Sequence, residues 1–209
     1  MKSHVIADVA GEPPGRDYFD RVERLAAAGA DFIQVRGKHL GGAALYRVVV
    51  RCRELIERTR TRLLVNSRVD VALAAGADGV HLPADGLPVP AIRSLSAGLL
   101  AGRSCHSFEE CRLAIEEGAD YLILGPVFDV RSKPSPAQVS FEDLRSAATL
   151  GVELYALGGI SSENLGSLAA LPIAGVAAIT LFMVDDHAEE IVAKIREMGS
   201  IPSAGEALC

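Results

Sequence analysis

The chain has 209 residues and a formal net charge of -6, with 49% hydrophobic and 23% charged residues. That is one domain's worth of sequence with ample apolar material for a core, the profile of a soluble globular protein. The acidic balance, the 5% aromatic content and the absence of Trp argue against a nucleic-acid or anionic-membrane surface as the partner. No apolar run approaches the roughly 18 residues needed to cross a bilayer. The N-terminus meets an acid at Asp8 and lacks the apolar stretch of a signal peptide, and the four cysteines show neither a CxxC nor a metal-ligand spacing. Reduced thiols and a cytoplasmic location are the expectation.

Short apolar runs alternate with helical periodicity along nearly the whole length. The pattern predicts strand His4–Asp8, helix Tyr18–Gly29, strand Asp31–Arg36, helix Ala43–Arg60, strand Arg62–Asn66 and helix Val69–Ala75. It continues with strand Gly79–Pro83, helix Val89–Ser94, strand Leu99–Cys105 and helix Ser107–Glu117. Strand Tyr121–Val127 leads into a long loop and helix Ser140–Thr149. Strand Glu153–Gly159, helix Ser162–Ala170, strand Val176–Thr180 and helix Asp186–Met198 complete the series. Gly-Ala-Asp recurs at 29–31, 76–78 and 118–120, each time closing a helix ahead of a strand, with the Gly as the helix stop. A repeat of this kind points to a modular architecture. Eight strands in strict alternation with eight helices predict an α/β fold, a single-domain (β/α)8 barrel over residues 1–198, with 199–209 a loose tail.

A barrel gathers its chemistry at the carboxyl ends of its strands. In the stretch Leu99–Glu110, Ser107 followed three places on by Glu110 is a capping box, which puts His106 just past a strand end. Strand alternation gives Gly102, Ser104 and His106 one face, with the small residues leaving room before the imidazole, and turns Cys105 away. An imidazole offers acid and base forms near neutrality, so His106 is the candidate acid/base. Gly158-Gly159 after the seventh strand, feeding a helix near Ser161, and Thr180 after the eighth form a candidate phosphate cradle. Gln34, Arg36 and Lys38 alternate onto one face and suit a carboxylate or second anion. Asn66, His81 and Asp85 stand at further strand ends, and the loop 129–139 carries Lys133 as an anion contact.

These residues resemble a known family. The frames Gln34-x-Arg36-x-Lys38, Leu63–Asn66 followed by Val69-Asp70-x-Ala72, Gly76-Ala77-Asp78-Gly79-Val80-His81, Gly125-Pro126-Val127-Phe128 and Gly158-Gly159-Ile160 are similar to the thiamine phosphate synthase superfamily from about residue 4 to 198. The resemblance implies one of two chemistries. Synthases couple a hydroxymethylpyrimidine pyrophosphate to a thiazole phosphate, using magnesium. TenI-type tautomerases aromatise a carboxythiazole phosphate by moving a proton without metal. Ser67 stands where the synthase pattern has a magnesium-binding Asp, Pro83-Ala84-Asp85-Gly86 replaces a Gly-Gln-Asp-Asp run, Arg36-Gly37-Lys38 replaces Arg-Glu-Lys, and Val130 replaces a Thr. One surviving carboxylate, Asp85, is a poor site for a hard cation. Gly102-Arg103-Ser104-Cys105-His106-Ser107 resembles the TenI branch, whose catalytic His falls on His106.

The expectation is therefore a thiazole tautomerase, an isomerase with His106 as base and then acid and no cofactor. Gln34, Arg36, Lys38, Asn66, His81 and Ser104 would contact substrate; Lys133, Gly158, Gly159 and Thr180 would hold its phosphate. The alternatives are a thiamine phosphate synthase, with magnesium and Asp85 as the residual ligand, and a non-catalytic phosphate-ligand regulator. The resemblance makes a homodimer the expected assembly.

Overall fold

The computed structural model describes residues 1–129 and 138–198. Eight parallel strands run in sequence order and close on themselves: β1 (Lys2–Asp8), β2 (Phe32–Arg36), β3 (Arg62–Asn66), β4 (Gly79–Leu82), β5 (Leu100–Cys105), β6 (Tyr121–Leu124), β7 (Glu153–Leu157) and β8 (Gly175–Ala178). Between them run α1 (Arg16–Ala27), α2 (Gly42–Ile56), α3 (Val69–Ala75), α4 (Val89–Leu95), α5 (Phe108–Glu116) and α6 (Phe141–Ala148). A 3-10 turn (Leu165–Leu168) fills the β7–β8 connection, and the short α7 (Thr180–Met183) and α8 (Ala188–Met198) end the described chain. This is the (β/α)8 barrel. Among the described residues no helix is long and apolar enough to cross a membrane.

Strand alternation divides the core into two shells. Val5, Ala7, Ile33, Val35, Leu63, Val65, Val80, Leu122, Leu154 and Val176 face outward and pack with the helices. Ile6, Phe32, Leu64, Tyr121, Ile123, Tyr155 and Ala177 fill the barrel itself. The inner shell is unusual in that His4, Gln34 and His81 are buried within it, and buried polar groups need partners.

The Gly-Ala-Asp repeat is a structural device. Each Gly takes a left-handed conformation (φ 91°, 63° and 92° at Gly29, Gly76 and Gly118), which only glycine adopts freely. The following Ala amide bonds back to the helix, to Leu25, Ala72 and Ala114 in turn, the capping pattern that satisfies orphan helix carbonyls. The Asp then fastens the neighbouring strand at its amino end. Its amide donates to the carbonyl of Ser3, Leu63 or Ala101, and its carboxylate accepts from the N–H of that same residue at 2.9, 2.7 and 2.7 Å. The repeat thus caps β1, β3 and β5 from below, away from the site.

The ends of several elements differ from the sequence expectation for local reasons. Strand β6 stops at Leu124 rather than Val127 because Pro126 has no N–H for the ladder. No α-helix forms over Ser162–Ala170: Gly166 weakens it, and the Asn164 side chain accepts from the Ser161 amide and donates to the Gly159 carbonyl, both at 2.9 Å. Thr180 opens a helix instead of ending a strand. The expected tail 199–209 lies outside the described residues.

Candidate active site

Two chains of hydrogen bonds rise through the barrel to its carboxyl-end mouth. In the first, His4 Nε2 lies 2.8 Å from Gln34 Oε1, Gln34 donates to Asn66 Oδ1 at 3.0 Å, and Asn66 donates to Ser67 Oγ at 2.8 Å. Ser67 holds a left-handed backbone (φ 63°), a conformation uncommon outside glycine that marks functional sites. In the second, the Tyr121 hydroxyl meets His81 Nδ1 at 3.1 Å and His81 Nε2 meets Ser104 Oγ at 2.8 Å. Burial pushes His4 down to about 4, against the opposing Gln34 hydrogen bond. Burial also holds His81 well below its ordinary value, helped by His4 and the Arg103 charge. Both rings are neutral at physiological pH.

His106 lies just beyond β5 and is exposed. Its Nδ1 donates to the Gly125 carbonyl at 2.7 Å, and its backbone N–H donates to the Glu110 carboxylate at 2.8 Å. Ser107 caps α5 by accepting from the Glu110 amide, so Glu110 reaches back one residue past the cap that the sequence suggested. Gly102 does not leave room for a ligand. A Cβ there would stand 1.9 Å from Tyr121 Cζ, so its smallness admits the Tyr121 ring. Cys105 is buried on the outer side, where the Cys111 thiol and burial raise its pKa.

The anion-fitting groups sit in two places. At β2, Arg36 is half-buried and pairs with Asp8 at 2.5 Å, which makes it a fixed rather than free cation. Lys38 is exposed with no hydrogen bond or ion pair among the described residues. At β7, Gly158 and Gly159 have φ of 102° and 62°, and a Cβ on either would collide with the loop after β6, at Pro126 or Asp129. Their N–H groups make no hydrogen bond among the described residues. Among the described residues no α-helix N-terminus stands behind this turn, so the expected helix contribution there is withdrawn and the loop's own amides remain. Thr180 is exposed at the start of α7.

The structure therefore joins Gln34 with Asn66 and Ser104 with His81, and leaves Lys38, His106, Gly158-Gly159 and Thr180 around them at strand ends. Lys133 and Val130 lie outside the described residues. Sequence reasoning missed His4, Tyr121 and Asn164. The signal for His4 was its parity: it shares the inward face of β1 with Ile6, two residues on.

A resident magnesium does not fit the described residues. Asp85 is exposed, Ser67 offers a hydroxyl already accepting from Asn66, and among the described residues no group of three or more His, Cys, Asp or Glu side chains could hold a metal. One carboxylate leaves most of an octahedral shell unfilled.

Comparison with known proteins fixes the family and corrects the chemistry. The family described as thiamine monophosphate synthase matches residues 4–182. The thiamine-phosphate synthase of Methanoculleus marisnigri is 41% identical over 171 residues, 79% of this chain and 80% of that protein. That of Chloroflexus aurantiacus is 32% identical over 200 residues, 95% of this chain and 92% of its own. Among solved structures, thiamine phosphate pyrophosphorylase from Pyrococcus furiosus superposes with a TM-score of 0.82 at 28% identity, covering 95% of both chains. These similarities overturn the expectation of a tautomerase and place the relatives among transferases. In the structure the imidazole of His106 braces the β5 and β6 loops through Gly125.

Proposed function

Since the chain belongs to the thiamine monophosphate synthase family, we propose that it couples a hydroxymethylpyrimidine diphosphate to a thiazole phosphate, giving thiamine phosphate and pyrophosphate. The observation that carries this reading is the division of the mouth. Two anion-fitting clusters, Lys38 beside the Arg36–Asp8 pair and the Gly158-Gly159 turn with Thr180, flank an uncharged hydrogen-bonding floor. The reaction joins two phosphorylated rings, one a diphosphate and one a monophosphate, and asks for that layout.

The chemistry suits neutral histidines. The C–O bond between the pyrimidine methylene and the diphosphate breaks, the electron pair leaves with pyrophosphate, and the thiazole nitrogen's lone pair forms the new C–N bond. That nitrogen carries no proton, so no general base is needed at the bond-forming atom. Lys38 and the fixed guanidinium of Arg36 attract the diphosphate and favour the charge that builds on it as it leaves. The Gly158 and Gly159 amides and Thr180 hold the monophosphate, which places the thiazole nitrogen over the floor. Gln34, Asn66, His81 and Ser104 orient the pyrimidine, and His106 keeps the β5 loop in position. The described residues build no magnesium site, so no step is assigned to the metal.

The test is direct: the purified chain, both substrates and magnesium, with thiamine phosphate followed as its fluorescent oxidation product. Thiamine phosphate accumulation supports the reading, and its absence at high protein concentration refutes it. The homodimer is proposed on the resemblance alone; light scattering at twice the 22.0 kDa chain mass is the expected result.

A further inference from the structure

The amino-terminal end of the barrel, away from the mouth, is built unlike the rest of its interior. Lys2 on β1, Arg62 on β3, Leu100 on β5 and Glu153 on β7 are the first inward-facing residues of alternate strands. Lys2, Arg62 and Glu153 share parity with Ile6, Leu64 and Tyr155, and Leu100 packs against that inner shell. In a barrel such a layer of four is ordinarily filled by branched apolar side chains. Here three of the four are charged, and the layer leaves a cavity of about 340 Å³ with the Phe32 and Tyr121 rings in its wall. That size is at the lower end of the range for small-molecule sites.

The charges that line it are not evenly matched. The Glu153 carboxylate accepts from Lys2 Nζ and, at 2.7 Å, from the Tyr155 hydroxyl. Burial raises the Glu153 pKa, but those two bonds and the Arg62 charge bring it below its ordinary value, so it is ionised and already has its cation. Asp31 holds the Ser3 amide at 2.9 Å, and Asp120 holds the Ala101 amide and the Arg93 guanidinium at 2.7 and 2.6 Å. All three carboxylates are thus committed to the fold. Arg60 and Arg62 are exposed, and neither guanidinium has a hydrogen bond or ion pair among the described residues. Arg62 stands 6.0 Å from the Phe32 ring centre, a cation–π placement that keeps it over the apolar wall. A guanidinium presents a planar fork of donors that matches a carboxylate or phosphate.

We propose that this cavity is a second ligand site, which takes a small planar molecule carrying one oxyanion, a phosphate or a carboxylate. The flat body lies against Phe32, Leu100 and Tyr121, and Arg60 and Arg62 hold the anion at the rim. Barrel chemistry gathers at the opposite, carboxyl end of the strands, and the buried His4, Leu64, Ile123 and Tyr155 fill the interior between. The occupant is therefore a ligand and not a reactant, and the inference does not rest on the synthase reading.

The test is nitrogen-15 NMR of the full chain, titrated separately with phenyl phosphate, benzoate, benzyl alcohol and inorganic phosphate. Phenyl phosphate or benzoate is expected to shift the Phe32, Leu100 and Tyr121 amides with a dissociation constant of about 1 mM or tighter, and the tighter of the two identifies the anion. Benzyl alcohol and inorganic phosphate, each lacking half of the ligand, should bind at least about tenfold more weakly. Arg62→Gln should weaken binding about 10–100-fold, the size of a charge-assisted contact, with Arg60→Gln acting in the same direction. Leu100→Phe keeps both guanidiniums and fills the cavity; it should also weaken binding about tenfold or more, and it serves should Arg62→Gln not fold. Lys38→Ala, at the mouth, should change nothing at these amides. No shift of the cavity amides at about 10 mM probe, or shifts confined to Gly158 and Gly159, overturns the proposal. So does binding undiminished in Arg62→Gln or in Leu100→Phe, or inorganic phosphate that binds as tightly as phenyl phosphate. Turnover is not read, so failure of the proposed reaction would leave this site standing.

Discussion

Replacing Gly158 with Ala tests the anion cradle and the reason for its glycine together. At φ 102° a side chain costs about 1–2 kcal/mol in backbone strain. The added Cβ would stand 2.5 Å from Pro126 Cβ and 2.6 Å from its Cα, a contact that only backbone movement relieves and that adds about 1–3 kcal/mol. The sum, roughly 2–5 kcal/mol, lowers the melting temperature by roughly 4–20 °C for a domain of this size. Because the turn must shift, its amides leave the phosphate position, and KM for the thiazole phosphate should rise about tenfold or more. Thermal melts by circular dichroism and steady-state kinetics well below the melt measure both effects. Gly166→Ala is the control: nothing lies within 4 Å of its Cβ position, so its melt should hold or rise slightly. A Gly158→Ala protein that melts like the parent and keeps its KM refutes the reasoning.

Three further outcomes follow from the same structure. Asp78→Ala removes the acceptor held 2.7 Å from the Leu63 amide and should cost about 1–2 kcal/mol in urea unfolding without changing KM, with Asp78→Asn losing less. Lys38→Ala should raise KM for the pyrimidine diphosphate about 10–100-fold, the size of a charge-assisted contact, and leave the melt unchanged; an unchanged KM removes Lys38 from the site. Acid should destabilise the fold through its buried rings: His4 stays neutral down to about 4 when folded, against 6.5 as its ordinary value. The unfolded chain then binds more protons between those pH values, and stability falls as pH falls through that window. From about pH 7 to about pH 5 His4 alone accounts for about 2 kcal/mol, with His81 adding in the same direction. A urea midpoint that does not move over that range contradicts neutral burial.

The barrel was legible because its signals are local and repeated. Gly-Ala-Asp marks helix ends by left-handed glycines, which depend on adjacent residues, although the bond from the Asp side chain to the neighbouring strand spans 15 to 28 positions. The inward parity of Gln34 and Ser104 was readable for the same reason, since alternation is fixed within a strand. What depends on distant partners was not. Arg36 looked like a free cation until Asp8, on the neighbouring strand, paired with it. Gly102 looked like ligand space until the Tyr121 ring filled it. His106 looked like the reacting group because a strand end displays a histidine whether it reacts or braces a loop, and its bond to Gly125 spans nineteen positions of sequence. The helix expected after Gly159 failed where the Asn164 side chain took over its turn.

The most direct measurement is a stoichiometry. The chain is incubated with magnesium, thiazole phosphate and pyrimidine diphosphate, and pyrophosphate and thiamine phosphate are counted in the same sample. Coupling predicts that the two appear one for one and that neither forms when the thiazole phosphate is left out. Pyrophosphate released without thiamine phosphate, or neither product above the protein-free control, contradicts the account.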